Sequence, residues 1–288
     1  MFSLSKCLEG VLPVSLQSIS SYHYILSYFP LALFIAFLFK FKYAPSTTLT
    51  YVSAIGYLHK LQGFSDPSKI FFISQMLKGF NKVGFRLDSR LPITLPMLYK
   101  IMIAGRQHVS PQFKMLRFIA MCNLAFHAFL RIGEITVARK SAPPPLSFQQ
   151  VELTSDSKGR VLSLKLVFHD YKHNYNQRPF ALDIPRKSDH CPVQTLLDYL
   201  AVRGSQPGPL FMNLDGSPVT RADFQDSLNL VLNFCDFSPS SYKGHSFRIG
   251  AATLAAQQGL SDAQIRLMGR WKSNAFQKYI RVESLMSS

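Results

Sequence analysis

The sequence predicts a mainly α fold in two units, residues 1–88 and 89–288, the second mostly helical with one small antiparallel β-sheet. Three observations predict it. Apolar residues are 47% of the chain and fall at helical spacing along most of its length. A single region, Val161–His169 (VLSLKLVFH) with Pro179–Ile184 (PFALDI), instead alternates apolar and polar positions, as a half-buried hairpin does. Near residue 89 the pattern breaks: Gly84–Arg90 looks like a linker, and Leu91-Pro92-Ile93-Thr94 opens a new unit.

The first unit begins with an apolar run. No Asp, Glu, Lys or Arg lies between Glu9 and Lys40, and Tyr24–Phe39 is almost wholly apolar. A membrane span needs about 20 such residues; this run has 16, with Pro30 inside it. Glu9 precedes it and no A-x-A site follows, which disfavours a signal peptide. The expectation is a helix buried between other helices, with no membrane partner. Helices are predicted at Leu31–Phe41, at Ser46–Leu61 after Pro45, and at Ile70–Phe80 after Asp66-Pro67. Ser46 and Thr47 suit an N-cap, and Gly63 and Gly79 suit stops. Lys40, Lys42, Lys60, Lys69, Lys78, Lys82, Arg86 and Arg90 face only Asp66 and Asp88, giving these helices a basic surface. Such a surface is either ordinary solvated lysine or a set of phosphate contacts that position a duplex.

In the second unit Phe113–Leu130 is dense enough in apolar residues to be a buried helix. After Pro143–Pro145 comes the hairpin, with Asp170–Arg178 as its loop. Helices return at Val193–Val202, Ala222–Phe234, Phe247–Gln258 and Ser261–Met268, with Gly259 and Gly269 at stop positions. No internal repeat or low-complexity tract is present.

Charge narrows the partners. Thirty-two Lys and Arg against 16 Asp and Glu give +16 at neutral pH, which favours a polyanion, either nucleic acid or an acidic membrane surface. Charged residues are only 17% of the chain, which excludes a basic disordered tail. Cys7, Cys122, Cys191 and Cys235 are scattered without a CxxC pair, so neither a zinc site nor a disulfide framework is indicated.

The chemistry concentrates in Gly244–Arg281, GHSFRIGAATLAAQQGLSDAQIRLMGRWKSNAFQKYIR. His245 and Arg248, three apart at a helix start, share a face beside free backbone N–H groups that favour an anion. Gly250-Ala251-Ala252 keeps that helix slim. The lone Trp271 offers an N–H that keeps its proton at neutral pH. Upstream, Arg131 leaves an apolar helix with Glu134 three residues on, and Lys172 sits in the hairpin loop. Singly, each has an ordinary reading: a structural ion pair, a loop lysine, core or surface aromatics.

In combination, these residues resemble the tyrosine recombinase (phage integrase) family. The phrases GRWKS…YIR, RLPIT and CPV…L…YL…R look most like versions carried by eukaryotic mobile elements. The likeness runs from about Tyr43 to Arg281. It implies a helical core-binding domain, residues 1–88, and a catalytic domain, residues 89–288, closing on double-stranded DNA as a clamp. It implies catalytic roles for Arg131, Lys172, His245, Arg248, Trp271 and the nucleophile Tyr279, with Glu134 in support.

From phosphoryl transfer, Arg131 and Arg248 would fork onto the non-bridging oxygens of the scissile phosphate, with Trp271 and His245 as further donors. Tyr279 would attack phosphorus, leaving a 3′-phosphotyrosyl link. His245 would take its proton, and Lys172 would protonate the departing 5′-oxygen. No phosphate-binding glycine loop or carboxylate cluster calls for NTP or Mg²⁺, so no cofactor or metal is expected. Self-assembly on DNA as a dimer or tetramer is also implied, although the nine residues after Tyr279 are fewer than the tail many members pack onto a neighbour. The implied location is the nucleus in a eukaryote and the cytoplasm otherwise. A catalytically silent DNA-binding derivative and a type IB topoisomerase-like relaxation activity are the alternatives.

Overall fold

The computed structural model describes residues 28–84, 89–138, 145–169 and 178–281. The chain divides into two compact units, Met1–Asp88 and Ser89–Ser288.

Among the described residues unit one has three helices, α1 (Tyr28–Lys40), α2 (Pro45–Leu61) and α3 (Phe71–Val83), with a 3₁₀ turn at Pro67–Lys69. Their core is Leu31, Ile35, Leu38, Val52, Ile55, Ile73 and Phe80. The expected burial of α1 between helices is only half realised. Leu31, Ala32, Ile35 and Leu38 are buried, while Phe29, Leu33 and Phe37 on another face are exposed. Among the described residues no helix is long and apolar enough to cross a membrane.

Two local expectations fail for identifiable reasons. α2 starts at Pro45, one residue before Ser46, and no side chain caps it. Proline lacks the N–H that a cap would satisfy, so it serves as a first helical residue. Gly79 does not stop α3, which runs on to Val83. A lone glycine inside a helix costs only about 1 kcal/mol and is carried by its neighbours. Gly63, by contrast, has φ 79° just past α2 and closes it. Lys60, counted in the basic surface, pairs with Asp66 at 3.0 Å.

Unit two is built around α5 (Gln112–His127), in which every residue from Arg117 to Phe126 is buried. α4 (Leu95–His108), α7 (Pro192–Arg203) and α9 (Ser246–Gln257) pack against it, and α8 (Arg221–Phe234) packs on α4. α4 went unpredicted because Pro92 and Pro96 look like linker residues. Pro96 lies in the first turn, where it is tolerated, and Thr94 caps the helix by accepting from Met97 N. The entry segment is pinned to the start of α9: Leu91 N donates to Ser241 O (2.9 Å) and Ile93 N to Ser246 O (3.1 Å).

The sheet has three antiparallel strands in the order β1 (Val151–Ser155), β2 (Val161–Phe168), β3 (Phe180–Pro185). The predicted hairpin is β2–β3, in register at Leu164/Ile184, Leu166/Leu182 and Phe168/Phe180. Leu164, Leu166 and Phe168 face the core, as the alternation requires. β1 was not expected: it buries almost nothing, so its sequence lacks a core-facing pattern. Between α5 and the sheet lies the short α6 (Ile132–Ile135). After α9 come α10 (Asp262–Gly269) and a 3₁₀ helix, Asn274–Tyr279.

Candidate active site

α9 supplies the buried centre of the site. It approaches the entry segment so closely that a Cβ on Gly250 would lie 1.8 Å from Ile93 O. Only glycine fits there. Arg248, two residues earlier, is wholly buried. Its Nη1 donates to Phe129 O and its Nη2 to Gly269 O, while Nε has no partner. The guanidinium carbon lies 4.0 Å from the Trp271 ring centroid and 6.0 Å from that of Tyr279. Burial, and then the charges of Arg131 and Arg270, pull its pKa down to about 9, against the opposing pull of Glu134 and Tyr279.

The chain reverses after α10 to deliver the two aromatics. Arg270 adopts a left-handed backbone, φ 55°, and Trp271 N donates back to Arg266 O at 2.9 Å. The stop falls at Arg270, one residue past the predicted Gly269. Gly269 serves another purpose: a Cβ there would sit 1.7 Å from a Trp271 ring carbon. The 3₁₀ helix that follows is anchored by the wholly buried Phe276, whose ring lies 6.0 Å from Trp271. Thr253 of α9 ties off its end, donating from Oγ1 to Tyr279 O (3.3 Å) and accepting from Arg281 N (3.1 Å).

These constraints bring the Tyr279 ring to 5.3 Å from Trp271 and 5.0 Å from His245. His245 is half-buried at the N-cap position of α9. Arg131 lies on the turn between α5 and α6. Its Nη1 donates to Glu134 Oε1 (3.0 Å) and its backbone N to Oε2 (2.8 Å). A cleft of about 280 Å³ opens here, lined by Arg131, Arg270, Trp271, Lys272, Ser273, Ala275 and Tyr279. The arrangement can hold a small anion against a guanidinium and an indole, and present a phenol to it.

Arg131, Glu134, His245, Arg248, Trp271 and Tyr279 are therefore brought together, although His245 and Arg248 are not among the residues that line the cleft. Lys172 lies outside the described residues. Sequence reasoning missed three participants. Arg270 is one: it donates to Glu134 Oε2 at 2.8 Å. The others are the Phe129 carbonyl, an acceptor for two arginines, and the Thr253 hydroxyl. The only signal in the sequence was a charged residue between Gly269 and Trp271; backbone acceptors leave none. Among the described residues no group of three or more His, Cys, Asp or Glu is placed to hold a metal ion.

No family model and no curated protein matches the sequence. Solved structures do match the fold. The XerH site-specific recombinase, in a post-cleavage complex with a palindromic difH substrate, aligns with 96% of this chain and 74% of its own. The TM-score is 0.65 at 15% identity. A lambda integrase dimer bound to a COC′ core site aligns with 96% of this chain and 69% of its own, with TM-score 0.58 and 15% identity. The Tn1549 transposon integrase, in complex with circular intermediate DNA, aligns with 100% of this chain and 92% of its own, with TM-score 0.59 and 13% identity. The chain has the fold of tyrosine recombinases and integrases.

Proposed function

We propose that the protein cuts and rejoins double-stranded DNA through Tyr279, as a site-specific recombinase or integrase. One observation carries this reading: Tyr279, Trp271 and Arg131 line one cleft, with His245 and the buried Arg248 beside the phenol ring. The reaction is an in-line displacement. Tyr279 Oη bonds to phosphorus while the bond from phosphorus to the 5′-oxygen breaks, leaving a 3′-phosphotyrosyl link and a 5′-hydroxyl. His245 accepts the phenolic proton, and Lys172 delivers one to the departing oxygen. Arg131 and the Trp271 N–H meet the non-bridging oxygens directly. Arg248 joins them by exchanging a backbone carbonyl for the phosphate, and otherwise supplies positive charge from beneath. The phosphoester is conserved in the covalent link, so rejoining is the reverse step and needs no ATP.

The excess of positive charge supports a DNA partner, as do the solved relatives, which are DNA complexes. Assembly as a dimer or tetramer on DNA goes with this reading, as does action in the nucleus for a chain from a eukaryotic mobile element. The test uses nicked suicide duplexes built from the DNA flanking the gene, followed by a denaturing gel. A covalent protein–DNA species is expected from the wild type and none from Tyr279→Phe. An adduct that survives that substitution ends the proposal. Salt-dependent binding without any adduct would identify a silent DNA-binding derivative, and plasmid relaxation without site preference a topoisomerase.

A further inference from the structure

We propose that Arg270 is a positioning residue for Arg131, acting through a carboxylate the two share; this rests on the reading of the cleft as a phosphodiester site. Arg270 borders the cleft with its side chain wholly buried, whereas the Arg131 side chain is 24% exposed. It is therefore not placed to touch a ligand itself. Its side chain is fixed on several sides. Nη2 donates to Glu134 Oε2 at 2.8 Å, while Nη1 and Nη2 reach Ala128 O and Phe129 O, each at 3.4 Å. The guanidinium lies 4.2 Å from the Phe168 ring centroid and 6.0 Å from that of Phe180, at the root of the β2–β3 hairpin.

The consequence falls on Arg131. A carboxylate beside a single arginine closes on it with both oxygens, fork to fork. Glu134 does not, because Oε2 is taken by Arg270 and by Arg131's own backbone N–H. Oε1 alone is left for the Arg131 side chain, which it holds through Nη1. Arg131 is thereby oriented by one charge-assisted bond while its remaining donors are left for an anion. Lysine would not substitute for Arg270: one ammonium cannot span a carboxylate and two carbonyls in the plane that a guanidinium covers.

Two measurements test this. The first needs no DNA: thermal stability across a double-mutant cycle of Arg131→Ala and Arg270→Met, repeated in Glu134→Gln. Sharing predicts non-additive effects that become additive once the carboxylate is gone. Additive effects while Glu134 is present, or non-additivity that survives Glu134→Gln, overturn the proposal. The second is single-turnover cleavage of two suicide duplexes, one with an ordinary scissile phosphate and one with a methylphosphonate, which lacks the anionic oxygen that Arg131 would hold. Arg270→Met is expected to lose about 100-fold on the phosphate, the scale of a misplaced catalytic group. It should recover most of that loss on the methylphosphonate, as is expected of Arg131→Ala. Equal losses on both duplexes overturn the positioning role. If Arg270→Met does not fold, Arg270→Lys is read the same way, with the same signs and smaller sizes. A wild-type chain that forms no adduct refutes the cleavage reading, and the stability cycle still decides whether the carboxylate is shared.

Discussion

At the scale of single residues, the site is a problem of placing three arginines near one carboxylate. Arg131, Arg248 and Arg270 have Glu134 as their common acid, and the Phe129 carbonyl accepts from both Arg248 and Arg270. Burial first, and then the neighbouring charges of Arg131 and Arg270, make Arg248 lose its proton more easily than a free arginine. Gly269 holds open the space that Trp271 fills against Arg248. Gly269→Ala is expected to push the indole off the guanidinium. Since Trp271 is the chain's lone tryptophan, its emission spectrum reports this directly, and adduct formation should fall with it. An unchanged spectrum would mean that the ring does not need the glycine. His127 gives a second test. Burial, and then the Lys187 ammonium 3.2 Å from Nδ1, push its pKa down to about 3. The unfolded chain therefore binds a proton between about pH 6.5 and 3 that the folded one refuses, and stability falls as pH is lowered through that window. Melting temperature against pH should fall less steeply for His127→Asn, which keeps an acceptor for Lys187 but cannot titrate.

At the scale of elements, α9 organises the centre. It buries Arg248, meets the entry segment at Gly250, and holds the end of the Tyr279 turn through Thr253. Gly250→Ala would drive a methyl into a backbone carbonyl, which cannot swing aside as a side chain can. A loss of about 1–3 kcal/mol in denaturant unfolding is expected; a neutral substitution would mean that the entry segment is not fixed there. Most helices were legible because their apolar residues recur at helical spacing or, in α5, run almost without a break, and because they terminate with ordinary chemistry. The misses follow from local ambiguity. Pro96 starts α4 where proline is usually a break, and β1 is too exposed to carry an alternating pattern. The Arg270 turn was hidden because a left-handed arginine is uncommon, its strain being offset by the buried contacts of its side chain.

At the scale of the whole molecule, the net charge of +16 makes a clear demand on binding. Lys40, Lys42, Lys69, Lys78 and Lys82 of unit one are exposed, as phosphate contacts require. Affinity for duplex DNA should fall steeply with salt, by about a thousandfold between roughly 50 and 200 mM if six or more phosphates are contacted. A titration of affinity against salt checks this, and a flat dependence would remove DNA from consideration. Replacing two of these lysines by Ala should lower the slope without altering the Tyr279 cleft.

By itself the sequence determined the fold class, most of the helices, the hairpin and the identity of the chemically unusual residues. Those properties are written in local periodicity and in the rarity of particular residues at particular spacings. Tertiary structure alone decided how the residues relate. It buried Arg248 beside the Tyr279 ring, divided Glu134 between Arg131 and Arg270, and recruited the Phe129 carbonyl and the Thr253 hydroxyl. Backbone acceptors and charge sharing between residues more than a hundred positions apart leave no mark on local sequence, because they exist only once the packing has removed water from between them.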